Sequence, residues 1–216
     1  MTLPFRTADD VARAVEPVRR HLDQGGVIGY PTETVYGLGT APAEAPTAKL
    51  SELKGRPQGK PFLLLVSSRE MAEAWGLVFT PAATALASAF WPGPLTLVLR
   101  GAEGRLPDQL RGPEGGIAVR YTSHPGIGRL VAQLGYPITS TSANRPGTQP
   151  APGPEALAKV FQREVESGEL MVLDGGVLGN VPPSTLVDCT GPQPLLIREG
   201  ALPREELRRL VGRWAP

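Results

Sequence analysis

Cysteine is almost missing from this chain of 216 residues: Cys189 stands alone. A single thiol excludes an intrachain disulfide framework and a cysteine-based zinc site. Histidine is scarce too, with only His21 and His124, so a histidine-rich metal centre is not expected and no metal ligand is assigned. No apolar run approaches the roughly 18 residues that a membrane span needs. The N-terminal stretch Met-Thr-Leu-Pro-Phe-Arg-Thr-Ala-Asp-Asp carries early acids and no apolar core of the signal-peptide kind. Charge of one sign is lacking as well. Lys+Arg 22 against Asp+Glu 21 leaves a net +1, without the general pull toward nucleic acid of a strongly basic domain. Any positive field must be local, and the expectation is a soluble, cytoplasmic protein with no membrane partner.

What is present is an ordinary globular mix, 41% hydrophobic and 20% charged. The length suffices for one domain with a sizeable core. We expect a single domain over 1–216, with its core at about 7–200, a C-terminal helix at about 203–213 and no additional C-terminal domain. Gly 26 and Pro 24 are high counts, but these residues punctuate periodic segments, which predicts many tight connections rather than disorder.

The densest chemistry lies in Lys54-Gly55-Arg56-Pro57-Gln58-Gly59-Lys60-Pro61. Three cations fall within seven residues, on a segment that Gly and Pro keep out of a helix interior. A Walker-type phosphate loop needs four residues between its glycines and a Ser or Thr after the Lys. Here three residues separate Gly55 from Gly59 and Pro61 follows Lys60, so that motif fails. A solvated basic turn and a side-chain site for a polyanion both remain open.

Along the chain, Thr7 and Asp10 resemble a capping box, and Val11, Ala14, Val18 and Leu22 share one helical face that Gly25-Gly26 closes. Val27–Tyr30 reads as a buried strand. It leads into residues 31–39, where Thr32, Glu33, Thr34 and Tyr36 mix with glycines, either a bulged second strand or a ligand loop. Helices are expected at 46–53, 68–75, 81–90, 125–134, 154–166 and from Pro203. Strands are expected at 62–66, 95–99, 117–121, 137–139, 170–173, 184–188 and 194–198. Residues 101–116 form a polar connection or a lid. Ser140-Thr141-Ser142-Ala143-Asn144 puts hydroxyls and an amide at a turn after a strand. The irregular mixture predicts an α+β (mixed α/β) domain with a twisted, mixed sheet. Polar clusters past strand ends would converge on one crevice.

Taken together, Tyr30 to Gly39, Lys54-Gly55-Arg56-Pro57 with Lys60-Pro61, Phe90 to Thr96, Ala118-Val119-Arg120, Ser140 to Asn144, Asp174-Gly175-Gly176 and Ser184-Thr185 resemble the YrdC family of threonylcarbamoyl-AMP synthases. The segments keep the family's order from about Gly25 to Gly200. The pairing of Lys54/Arg56 with Ser142/Asn144 is its specific signature. The resemblance implies a YrdC-like mixed sheet with helices around a large concave basic cavity. It implies a nucleotidyltransferase: L-threonine, bicarbonate and ATP, with Mg2+, give L-threonylcarbamoyl-AMP and pyrophosphate. A downstream tRNA threonylcarbamoyltransferase complex would then modify an adenosine beside the anticodon, and contact with RNA is a further expectation.

By the same resemblance, Lys54 and Arg56 would be catalytic. Arg56, Lys60, Ser142, Asn144 and Arg198 would bind the nucleotide, and Thr32, Arg120, Ser140 and Ser184 the threonine. The chain departs from the family in places. Pro146 and Pro150 replace hydroxyl residues, Pro183 precedes Ser184, and Glu199 follows Arg198. Leu65 stands where some longer relatives place a His. Two alternatives stay in view: a YciO-like paralogue, from which the intact Ser142-Ala143-Asn144 distinguishes this chain, and a double-stranded-RNA-binding module without catalysis.

Overall fold

The computed structural model describes residues 1–55, 61–179 and 181–215. The chain enters the sheet before its first helix. Strand β1 (Thr2–Pro4) pairs in parallel with residues 172–174, so the core starts earlier than the expected residue 7. Helix α1 (Ala8–Asp23) carries the reciprocal Thr7–Asp10 cap and buries Val11, Ala14, Val18 and Leu22. Then come β2 (Val27–Tyr30), β3 (Gly37–Gly39), α2 (Glu44–Lys54), β4 (Leu63–Val66), α3 (Arg69–Ala74), β5 (Leu77–Val78), α4 (Pro81–Phe90) and β6 (Leu95–Gly101). The second half holds β7 (Ile117–Tyr121), α5 (Pro125–Leu134), β8 (Ile138–Ser142), α6 (Pro154–Val160), α7 (Gln162–Glu166), β9 (Leu170–Asp174), β10 (Thr185–Asp188), β11 (Leu195–Arg198) and α8 (Arg204–Leu210).

The described strands form one mixed sheet in the order β1-β9-β2-β3-β8-β4-β7-β6-β10-β11, with β5 pairing against β6. Residues 31–36 prove to be a loop, and only Gly37–Gly39 pairs as a strand. Gly39 allows that pairing, because a Cβ there would stand 2.1 Å from the Thr139 carbonyl oxygen. The expected helix over 154–166 is two helices, broken where Phe161 adopts φ −117° and ψ 39° and buries its ring. The C-terminal helix stops at Leu210 rather than near 213.

Strand alternation decides where the core ends and the hollow begins. In a strand, successive side chains point to opposite faces. Across β4, β6, β7 and β10, Leu64, Val66, Leu95, Leu97, Leu99, Ile117, Val119 and Val187 join the larger apolar cluster, shared with α2, α4 and α8. Their neighbours Leu63, Leu65, Thr96, Val98, Ala118, Arg120, Leu186 and Asp188 line a cavity on the other face. On that face near β2 and β9, α1 and α5 cover the sheet and build a second cluster around Phe5, Ile28 and Tyr30. Helices therefore sandwich one half of the sheet, while the other half keeps one face open to the cavity.

Candidate active site

The cavity measures about 1350 Å³. Register places Arg120 of β7 beside Thr96 of β6 on one side and Leu65 of β4 on the other. Arg120 is only 5% exposed, and the surrounding backbone and loop hold its guanidinium. Its Nε donates to the Gly93 carbonyl at 3.2 Å, and its Nη1 donates to Thr34 Oγ1 at 3.2 Å. Its Nη2 lies 2.7 Å from Glu33 Oε1 as an ion pair and is out of contact with solvent. Glu33 is itself held: Thr122 Oγ1 donates to Oε2 through a short bond, and the Ser123 N–H donates to Oε1 at 3.2 Å. Burial raises the Glu33 carboxyl, but Arg120 and the Thr122 bond outweigh it and hold the group below the ordinary value.

Beyond β4, the end of β8 builds a polar edge. Ser140 and Ser142 line the cavity. Ser142 Oγ donates to Asn144 Oδ1 at 2.6 Å, while Asn144 Nδ2 donates to the Arg145 and Thr148 carbonyls. Lys54, at the last turn of α2, reaches this edge from behind. Its Nζ donates to Ser142 O at 2.5 Å, Asn144 O at 2.9 Å and Asn144 Oδ1 at 2.8 Å. Gly55 ends α2 just after Lys54 in the left-handed conformation, φ 61°.

The third wall comes from β10 and β11. Ser184 Oγ shares a 2.8 Å hydrogen bond with Thr96 Oγ1, and Arg198 Nη2 donates to the Ser184 carbonyl at 2.9 Å. Burial and then the like charge of Arg120 lower the Arg198 guanidinium from its ordinary value. Two guanidiniums lining one hollow suit an anionic ligand. Glu114 and Asp188 also line the cavity.

Thr32, Arg120, Ser140, Ser142, Asn144, Ser184 and Arg198 all line this one cavity. Arg56 and Lys60, expected at the phosphates, lie outside the described residues. Thr32 turns inward: its Oγ1 accepts the Thr34 and Val35 N–H groups and donates to the Val35 carbonyl. Lys54 is buried, 5% exposed, behind Ser142 and Asn144 rather than on the cavity wall. Leu65 does face the cavity. A second, smaller hollow over α6 and α7 has none of the predicted site residues in its lining. Sequence reasoning missed Glu33 and Thr96 as parts of the site. The carboxylate in an otherwise hydroxyl-rich loop was the available signal for Glu33, and Thr96 gave none beyond its place on a strand.

The comparisons bear on the family and the fold. A family model described as telomere recombination, for Sua5, YciO and YrdC proteins, matches residues 20–200, and the chain belongs to that family. Among its relatives, a threonylcarbamoyl-AMP synthase of Thiobacillus denitrificans is 36% identical over 84% of this chain and 94% of its own length. One of Pyrococcus abyssi is 35% identical over 88% of this chain, which spans 55% of that longer relative. The solved structure of P. abyssi Sua5 complexed with L-threonine superposes with a TM-score of 0.86 at 31% identity, covering 98% of this chain and 61% of the other. E. coli YciO matches with a TM-score of 0.79 at 26% identity, covering 93% and 94% of the two chains.

Proposed function

We propose that this protein is a threonylcarbamoyl-AMP synthase that joins L-threonine, bicarbonate and ATP in the cavity between β4, β7 and β10. The observation that carries the reading is that two guanidiniums, Arg120 and Arg198, line one hollow together with Ser142 and Asn144. The reaction brings anions together. The threonine amine takes up CO2 to become a carbamate. A carbamate oxygen then bonds to the α-phosphorus of ATP as the bond from that phosphorus to the departing pyrophosphate breaks. Fixed positive groups and donors lower the cost of that encounter, and a site that is already ordered has little reorganising to do.

In this reading Arg120 takes the threonine carboxylate, where a planar fork gives orientation as well as charge. Ser140 and Ser184 supply hydroxyl contacts to the amino acid, and Thr32 shapes the loop that holds Thr34 and Glu33. Arg198, Ser142 and Asn144 bind the nucleotide, and family resemblance assigns Arg56 and Lys60 to the same task. Lys54 acts by holding Ser142 and Asn144 in place. Among the described residues no group of three His, Cys, Asp or Glu side chains is suited to a metal ion. Magnesium would come with the triphosphate, as ATP chemistry requires. The single-domain limits, a cytoplasmic location and transfer to a tRNA-modifying partner complete the proposal. None of the helices described is long and apolar enough to cross a membrane.

Pyrophosphate release from ATP tests the reading. It is expected only when L-threonine and bicarbonate are both supplied, and leaving out either should reduce it at least tenfold. Release that ignores threonine, or none at all from the folded protein, contradicts the assignment and favours a YciO-like or purely binding role.

A further inference from the structure

We propose that Glu33 is the positioning residue for Arg120 and thereby sets how tightly the amino acid binds; the inference rests on the threonine site proposed above. Arg120 sits in the middle of the sheet, 5% exposed, where a mobile or unpaired cation is costly. Three partners meet three different nitrogens of its side chain. Gly93 O takes Nε and Thr34 Oγ1 takes Nη1, both at 3.2 Å, while Glu33 stands 2.7 Å from Nη2. Gly93 and Thr34 offer neutral acceptors. Among the described residues, Glu33 is the only ion-pair partner of Arg120.

The Glu33 carboxylate cannot swing freely, since Thr122 Oγ1 and the Ser123 N–H hold its two oxygens. The chain Thr122–Glu33–Arg120 thus ties the guanidinium to the segment that follows its own strand. Glu33 touches Arg120 without lining the cavity, so it acts through the arginine. The Nη2 group faces the Glu33 carboxylate and is closed off from solvent. The ion pair sets the plane of the arginine, and an incoming carboxylate meets the part of the fork that lines the cavity. Glu33 therefore fixes the fork before the substrate arrives, which removes an ordering cost from binding.

The test is a split of kinetic constants in the Glu33→Gln protein, which keeps the shape and removes the charge. The KM for L-threonine should rise at least tenfold, while the KM for ATP stays within twofold. Thr122→Val, which removes one tether from the carboxylate, should raise the threonine KM by about threefold, and thermal denaturation checks that both variants are folded. If the threonine KM stays within twofold in a folded Glu33→Gln protein, or if both KM values rise together, the positioning role is overturned. Calorimetry with L-threonine alone separates this from the reaction itself. Wild-type protein that releases no pyrophosphate but binds L-threonine in a Glu33-dependent way overturns the reaction and leaves the positioning role standing. Wild-type protein that neither binds L-threonine nor releases pyrophosphate overturns both.

Discussion

Lys54 Nζ gives hydrogen bonds to two backbone carbonyls and to the Asn144 amide oxygen. Remove the ammonium, and those oxygens are left facing one another in a buried corner. Hydrogen bonds to a charged group contribute about 1.5–3 kcal/mol each, and stranding the partners costs more than losing the bond. Lys54→Met should therefore lower stability by about 2 kcal/mol or more, measured by denaturant unfolding, and should also weaken ATP use because Ser142 and Asn144 lose their support. Wild-type stability in that variant would contradict the role given to Lys54. The sequence made the side chain conspicuous but could not show its direction. A cation after a helix can reach outward to a phosphate or inward to carbonyls, and only the position of Asn144, 90 residues away, selects the second. Glu33 was obscured for the same reason, since its partner Arg120 lies in a distant strand.

The elements differ in how far local rules decide them. Helix α5 was readable to the residue, with Pro125 in its first turn and Gly135 in the left-handed conformation just past its end. Its cap holds a titratable group. His124 Nδ1 accepts the Ile127 N–H, which requires a neutral ring nitrogen. Burial lowers the His124 pKa from its ordinary 6.5, with Glu33 opposing. The unfolded chain then takes up the proton first, so the contribution is fully present above about 6.5 and is lost as the pH falls toward the lower folded value. A His124→Asn protein, whose cap does not titrate, should lose less melting temperature than wild type between about pH 7 and 5. Equal losses would contradict this. Other elements were beyond local reading. Strands β1 and β5 have three and two residues, too short to show any period. Ser140 to Ser142 carry turn-forming side chains, yet pairing with β3 and β4 makes them strand.

At the scale of the molecule, the mixed sheet was legible because apolar runs and turn residues alternate in irregular order. The convergence of the polar segments followed from where they fall relative to those runs. Which sheet face would be covered was not legible. Ala118 and Val119 have similar polarity, but one floors the cavity and the other fills the core. That choice is made by helices α2, α4 and α8 packing from one side, through contacts with no local trace. The central claim is that this uncovered face brings threonine and ATP together between Arg120 and the Ser142–Asn144 edge. A crystal structure of the protein with L-threonine and ATP tests it most directly. The threonine carboxylate is expected within hydrogen-bond reach of the Arg120 fork, with the amino group turned toward the α-phosphate. Threonine or ATP bound away from the cavity, or threonine reversed so that its carboxylate avoids Arg120, would contradict it.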